Sequence, residues 1–212
     1  MKMNFKKITL IIALATVGAF SAKAQISLGL TGGMGLPMGD MSDKNKMDLG
    51  NGFGGGLTAR YFLNEKMAVG LNLSYFSFAV NNIPSGVTAS YSNMPITAAF
   101  DYYFMDEGIK PYAGLEAGFL YSSIKSSQTI SGISVDVTGS KSGLLIAPVV
   151  GVAYGVNDAL DILLNAKYMY GMTSGKMDLT ATAGGQTQNT TTDWYDATFV
   201  NINLGVSYKF GN

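Results

Sequence analysis

The sequence predicts an all-β fold, an eight-stranded antiparallel up-and-down barrel that crosses a membrane. Three observations predict it. Apolar and polar residues alternate along eight separate segments. The connections between those segments alternate between short and long. The chain of 212 residues is 47% hydrophobic but only 13% charged, about half the charged share of an ordinary soluble domain. A strand turns successive side chains to opposite faces, so alternation gives each segment one greasy face and one wet face.

The chain opens with Lys2, Lys6 and Lys7, then an apolar run from Ile8 to Phe20, then Ala22 and Ala24 flanking Lys23. A basic start, a short apolar run and an A-x-A site make a secretory signal peptide. Residues 1–24 are expected to be removed, leaving residues 25–212 as the barrel. Their removal takes Lys2, Lys6, Lys7 and Lys23 from the 14 basic residues and nothing from the 14 acidic ones, a balance of about −4. No basic patch for nucleic acid remains. With 0 Cys, export serves no disulfide framework. No later run reaches the roughly 18 apolar residues of a spanning helix, so the hydrophobicity needs another use.

The eight segments supply it. The first, Ile26 to Leu36, puts Ile26, Leu28, Leu30, Met34 and Leu36 on one face and Ser27, Gly29, Thr31, Gly33 and Gly35 on the other. The second, Phe53 to Leu63, sets Phe53, Leu57, Ala59, Tyr61 and Leu63 against Thr58 and Arg60. The third, Met67 to Val80, sets Val69, Leu71, Leu73 and Tyr75 against Gly70, Asn72 and Ser74. The fourth, Ser92 to Phe104, sets Ile96, Phe100, Tyr102 and Phe104 against Thr97 and Asp101. The fifth, Tyr112 to Ile124, sets Leu115, Phe119 and Tyr121 against Gly114 and Glu116. The sixth, Gly143 to Val156, sets Ile146, Val150, Val152 and Tyr154 against Ala147, Gly151 and Ala153. The seventh, Leu160 to Tyr170, sets Ile162, Leu164, Tyr168 and Tyr170 against Asp161, Asn165 and Lys167. The eighth, from about Thr198, alternates without a break over Asn201 to Phe210. Each is about as long as a tilted membrane-spanning strand requires. Pro95 and Pro148 each remove a ladder donor, so a bulge is expected at one or both, with a change of in/out parity beyond it.

Long connections are expected at 37–52, 81–91, 125–142 and 171–197, and short ones at 64–66, 105–111 and 157–159. Short turns at one end and long loops at the other mark an outer-membrane barrel, with the short end in the periplasm. A lipocalin-like soluble barrel would also alternate, but with its greasy face inward. The wet face argues against that, because it carries Arg60, Asp101, Glu116, Asp161, Lys167 and Lys209 among many glycines. Small residues with a few charges suit a narrow eight-strand interior. The greasy face also ends in aromatics. Tyr61, Tyr102, Phe104, Tyr154, Tyr208 and Phe210 sit toward the short turns, and Tyr75, Tyr121, Tyr168 and Tyr170 toward the long loops. Two such girdles match the two membrane interfaces.

The signal peptide, the eight segments and the terminal Asn203-x-Gly205-x-x-Tyr208-x-Phe210 pattern together resemble the small outer-membrane β-barrel family that includes the OmpA transmembrane domain and OmpX. Gly29-Leu30-Thr31-Gly32-Gly33 and Leu36-Pro37-Met38-Gly39-Asp40 look like Bacteroidetes members. The resemblance implies residence in the cell outer membrane, contact with its lipid, and an assembly signal at Asn203, Gly205, Tyr208 and Phe210 read by the barrel-assembly machinery. Gly211-Asn212 departs from it, since such signals often end on the aromatic.

Chemistry is restricted. With 0 His and 0 Cys, Ser-His-Asp hydrolysis, thiolate catalysis and His- or Cys-ligated metals are excluded. No enzyme activity, cofactor or metal is expected. The inward charges read as a structural network of buried ions or, alternatively, as a gate in a narrow pore. Asp40 to Asp48 is rich in oxygen donors, but Asn45 stands where a calcium loop needs glycine, so it reads as a solvated loop. The segment 180–192 reads as a mobile surface loop. A monomer with a structural or surface-interaction role through its long loops is therefore expected. A narrow pore or small-solute channel and a soluble periplasmic ligand-binding barrel are the alternatives. The extracellular ligand is unknown.

Overall fold

Ten strands form one continuous antiparallel sheet in the computed structural model, which describes residues 25–130 and 132–211. They are β1 (Ile26–Met38), β2 (Leu49–Asn64), β3 (Met67–Val80), β4 (Val87–Tyr103), β5 (Ile109–Ile130), β6 (Ile133–Gly155), β7 (Leu160–Met172), β8 (Gly175–Ala183), β9 (Gln186–Trp194) and β10 (Ala197–Phe210). The expected signal peptide lies outside the described residues. Strands β1 to β7 pair in sequence, β10 pairs with β7, and β1 pairs with β10 from Ile26↔Phe210 to Met38↔Thr198. That last ladder closes a ring of eight strands, leaving no polar edge for lipid to meet.

The greasy face points outward. Leu71 is 65% exposed and Leu204 62%, whereas Glu116 and Asp101 are each 1% exposed. Leu30, Leu57, Ile96 and Phe119 join the exposed belt. An apolar surface wrapping the whole barrel belongs in a bilayer, not in water. This orientation overturns the soluble-barrel alternative, which needs the apolar face inside.

The short turns are tied by asparagines. Asn64 Oδ1 accepts from the backbone N–H groups of Lys66 and Met67 at 2.9 and 2.8 Å. Asn157 Oδ1 does the same for Ala159 and Leu160, again at 2.9 and 2.8 Å. An asparagine side chain that imitates a backbone turn lets two strands reverse within a few residues.

The other end departs from expectation. All four long connections shrink because strands continue into them, the first only at its ends, where β1 reaches Met38 and β2 begins at Leu49. Strand β4 begins at Val87, and β5 and β6 run on to Ile130 and Ile133 as one tall hairpin. Gly132, at φ 83°, serves its turn. The segment expected as a mobile loop at 180–192 is the β8–β9 hairpin, which attaches to β6 through Val135↔Ala183 to Gly139↔Leu179. These stretches stand above the apolar belt, where the outer face meets no lipid, and their alternation is confined to short runs such as Val87, Ala89 and Tyr91 or Met177 and Leu179. Ladder pairing does not need that alternation.

Neither proline makes a bulge. The β3–β4 register is the same on both sides of Pro95 (Leu73↔Ile96, Phe76↔Asn93), and the β6–β7 register is the same on both sides of Pro148 (Ile146↔Tyr170, Val149↔Lys167). Each proline loses one donor without adding a residue, so parity is preserved. The register shifts fall in β2 instead, between Leu49 and Gly52 and between Phe62 and Asn64.

Candidate functional site

The barrel interior has a polar half toward the short turns and an apolar half toward the long loops. The polar half is built on ion pairs that reach past a strand. Arg60 on β2 places Nε 2.5 Å from Asp101 Oδ2 on β4. Between them β3 presents only Gly70, opposite Arg60, and Ala68, opposite Asp101. Lys167 on β7 places Nζ 2.6 Å from Glu116 Oε1 on β5, across Ala147 and Val149 of β6. Lys110 on β5 places Nζ 2.8 Å from Asp161 Oδ1 on β7, across Ala153 and Gly155. Glycine, alanine and, beneath Lys167, one valine on the intervening strand leave room for the long side chains to meet above it.

Polar neighbours complete the first two pairs and join them. Arg60 Nη1 donates to Asn72 Oδ1 at 2.8 Å, Asn72 Nδ2 to Thr97 Oγ1 at 3.3 Å, and Thr97 Oγ1 to Glu116 Oε2 at 2.9 Å. Arg60 Nη2 also stands 4.0 Å from Glu116 Oε1. Glu116 therefore faces two cations and a hydroxyl. Gly114 makes the Arg60–Asp101 pair possible, because a Cβ there would lie 2.1 Å from Asp101 Oδ1. Asp101 Oδ1 itself is buried with no hydrogen-bond partner.

Nearer the short turns, Asp161 takes two cations. Lys110 Nζ donates to both its oxygens at 2.8 and 2.9 Å, and Lys209 Nζ lies 3.0 Å from Oδ2. Lys110 is the residue that sequence reasoning missed, being assigned to the turn at 105–111. It is 8% exposed and faces inward. The signal was present: Lys110 shares the even parity of Tyr112, Gly114 and Glu116, but Pro111 read as a boundary. With Lys110 the described interior holds four cations, Arg60, Lys110, Lys167 and Lys209, against Asp101, Glu116 and Asp161. Free space at this level is about 20 Å³, enough for roughly one water molecule. Tyr103 and Tyr112 pack with tilted rings 5.1 Å apart in the same region and fill much of what the charges leave.

The apolar half closes the lumen above. Phe76, Phe78, Tyr91, Leu120 and Phe199 are 0 to 2% exposed. Their rings pack edge to face or tilted, with Phe78 to Phe199 at 5.2 Å and Phe78 to Tyr91 at 6.0 Å. They sit on the face expected to carry small and polar residues. In this half the space between strands is filled by aromatic volume, which packs well against the glycines facing it. A Cβ on Gly52 would lie 2.6 Å from the Phe78 ring, and one on Gly35 2.8 Å.

The terminal motif divides between the two faces. Asn203 is inside and donates to Asn165 Oδ1 at 2.9 Å. Gly205 lies against β1, where a Cβ would meet Leu30 O at 2.4 Å. Tyr208 and Phe210 are outside and pack edge to face at 4.8 Å. Tyr75, Tyr102, Phe104, Tyr121, Tyr154 and Tyr168 are exposed on the outer face, and Tyr61 and Tyr170 are half-buried. The Tyr170 hydroxyl donates to Asp196 Oδ2 at 3.1 Å.

In the first loop, the carboxylates turn to local partners. Asp40 Oδ1 takes Lys46 Nζ at 2.5 Å, Asp43 Oδ1 takes the Asn45 N–H at 2.9 Å, and Asp48 binds Asn81 and Asn82 of the next loop. At the base of the β8–β9 hairpin, Asp196 Oδ1 accepts from the Ser174 N–H at 2.9 Å. Burial would raise the Asp196 pKa, but these hydrogen bonds from Ser174 and Tyr170 outweigh it and hold the carboxyl below its usual value.

Residues 8–210 match the family model described as the outer membrane protein beta-barrel domain. The fold is similar to that of a major outer membrane protein from Thermus thermophilus, with TM-score 0.66 and 11% identity over 89% of this chain and 100% of that one. It is also similar to OprG from Pseudomonas aeruginosa, with TM-score 0.58 and 18% identity over 89% and 97%. A third similar fold is Ail of Yersinia pestis, solved with the heparin analogue sucrose octasulfate, with TM-score 0.51 and 17% identity over 89% and 100%. No curated protein sequence matches the chain.

Proposed function

The chain belongs to the outer membrane protein β-barrel domain family, and from that premise we propose that it is a non-enzymatic surface-interaction protein of the outer membrane. Its working part is the sheet that stands above the bilayer, made of β9, β8 and the upper parts of β6, β5 and β4. In this family's architecture the long-loop end faces outward from the cell.

The observation that carries this reading is the free edge of β9. Gln186–Trp194 pairs with β8 alone among the described strands. Its other side presents a row of unpaired N–H and C=O groups. Proteins usually blunt such an edge with lysine, proline or a bulge. Gln-Thr-Gln-Asn-Thr-Thr-Thr-Asp-Trp has no lysine or proline, and the β8–β9 register runs without a shift. An open, polar, unprotected edge suits an extended segment of another protein adding itself as a further strand.

Proline substitution at adjacent positions tests it. Of Asn189→Pro and Thr190→Pro, one removes an N–H that bonds β8 and the other removes one on the free edge. A photo-crosslinker at Thr191 on intact cells is expected to capture protein. Capture is expected to vanish in the free-edge variant while β8–β9 stays folded. Capture unchanged by either proline would overturn the reading.

A conducting pore is the weaker reading. The interior leaves about 20 Å³ at the charged level, and Phe76, Phe78 and Phe199 fill the lumen above it. Planar-bilayer recordings are expected to give no unitary conductance. A reproducible step that changes with Lys167→Ala would favour the pore.

A further inference from the structure

Above the aromatic plug, the mouth of the barrel holds a cavity of about 530 Å³ that the edge-strand reading does not use. Its size falls in the range of small-molecule sites. Most of its wall is apolar and comes from five strands, Leu49 of β2, Val80 of β3, Ile124 of β5, Val137 of β6, and Met177 and Leu179 of β8, with the hydroxyls of Ser126 and Thr192 among them. Trp194 of β9 completes it, its ring tilted against that of Tyr91 at 5.8 Å. The plug beneath is fully buried and closes the floor of the well.

Two features define the chemistry of an occupant. Trp194 Nε1 is buried with no hydrogen-bond partner. An indole N–H only donates, so the missing partner is an acceptor. The charges at the mouth are already paired, Lys46 with Asp40 at 2.5 Å and Lys176 with Asp193 at 2.6 Å. Lys46 also lies 5.3 Å over the Tyr195 ring. A charged head would have to break one of these pairs, and a neutral one would not.

We propose that this well binds a small neutral lipophile, a molecule with an apolar body and one hydrogen-bond acceptor such as an alcohol or ester oxygen, and that Trp194 supplies the donor. The proposal is independent of the free edge of β9, because the well is lined by the inner face of the sheet.

The chain supplies its own reporter, since Trp194 is its 1 tryptophan. The probe is a bromine-terminated medium-chain alcohol, titrated into the protein held in lipid nanodiscs. Binding in the well is expected to quench Trp194 emission saturably, and the same alcohol without bromine is expected to restore it. Val137→Phe and Ile124→Phe fill the well from two different strands, and each folded variant is expected to weaken the apparent affinity at least about tenfold. A second protein, with Trp194→Phe and Phe104→Trp, reports probe dissolved in the bilayer, because Phe104 is exposed on the outer face. It is expected to show quenching that rises linearly and resists competition. If Trp194 behaves like that bilayer reporter, or if quenching is unchanged in both filled variants, the proposal is overturned.

Discussion

Glu116 and Lys167 lie 51 residues apart on strands that do not pair, yet Lys167 Nζ reaches Glu116 Oε1 at 2.6 Å across Ala147 and Val149. Arg60 and Asp101 repeat the relationship across Gly70 and Ala68. Lys110 and Asp161 repeat it across Ala153 and Gly155. The barrel interior is thus laced by bridges that skip a strand, and beneath each bridge lies at least one glycine or alanine.

Glu116→Ala is expected to destabilise the barrel by about 3–5 kcal/mol, because it leaves Lys167 buried without its carboxylate. Replacing both Glu116 and Lys167 by methionine is expected to recover most of that loss, since no lone charge is left in the low-dielectric interior. Urea unfolding midpoints of the protein folded in lipid vesicles measure both. An unshifted midpoint for the single variant would count against a buried network.

Gly70→Val tests the space beneath a bridge. A Cβ at Gly70 would lie 2.1 Å from Ala59 O and 2.7 Å from Arg60 Cδ. The clash involves backbone as well as the arginine, so strand β2 or β3 must move. A loss of about 1–3 kcal/mol is expected, as for other overpacked sites. The same unfolding assay reports it, and a neutral result would show that β3 yields without disturbing Arg60.

Acid is expected to loosen the base of the β8–β9 hairpin. The Asp196 carboxyl titrates below its usual value: burial opposes ionisation, but the bonds from Ser174 and Tyr170 favour it more. Its stabilising contribution is therefore present above the unfolded aspartate pKa of about 3.9 and is lost as pH falls through the lower folded value. Hydrogen exchange of residues 173–196 should quicken as pH drops below about 4, after correction for the intrinsic rate. Asp196→Asn should remove that extra dependence. An identical profile in both proteins would contradict the assignment.

Tyr208→Ser with Phe210→Ser is expected to lower the amount of folded protein in the membrane. The two rings pack at 4.8 Å on the outer face of the closing strand, where β10 meets β1. Interfacial aromatics favour the headgroup region, and serine does not replace them. Heat-modifiable migration on gels, compared with total protein, reads the folded fraction. Unchanged levels would remove these two residues from any role in assembly.

Much of the fold was legible in the chain because parity is local. Whether residue i faces in or out depends on its neighbours at i±1, so Leu71 and Leu204 could be placed in the lipid belt, and Asp101 and Glu116 inside, without knowing any partner strand. Hairpin extensions were not legible. Within Lys125 to Ser142 the alternation covers only Ile133, Val135 and Val137, because the outer face meets no lipid, and so short a run between polar stretches looks like a loop. Pro95 and Pro148 misled for a related reason. The sequence displays the missing donor, but only the ladder reveals that neighbouring bonds hold the register.

By itself, the sequence determined the strand count of the ring, the outward direction of its apolar face, its short and long ends, and the absence of histidine and cysteine chemistry. Tertiary structure decided the rest. It chose which charges meet, brought Lys110 to Asp161, set Phe76, Phe78 and Phe199 across the lumen, and left β9 with an open edge and Trp194 beside an apolar well. The physical reason is distance along the chain. Facing is a property of one strand with a period of two, whereas pairs, plugs and wells form between strands tens of residues apart, where register and side-chain volume settle what touches what.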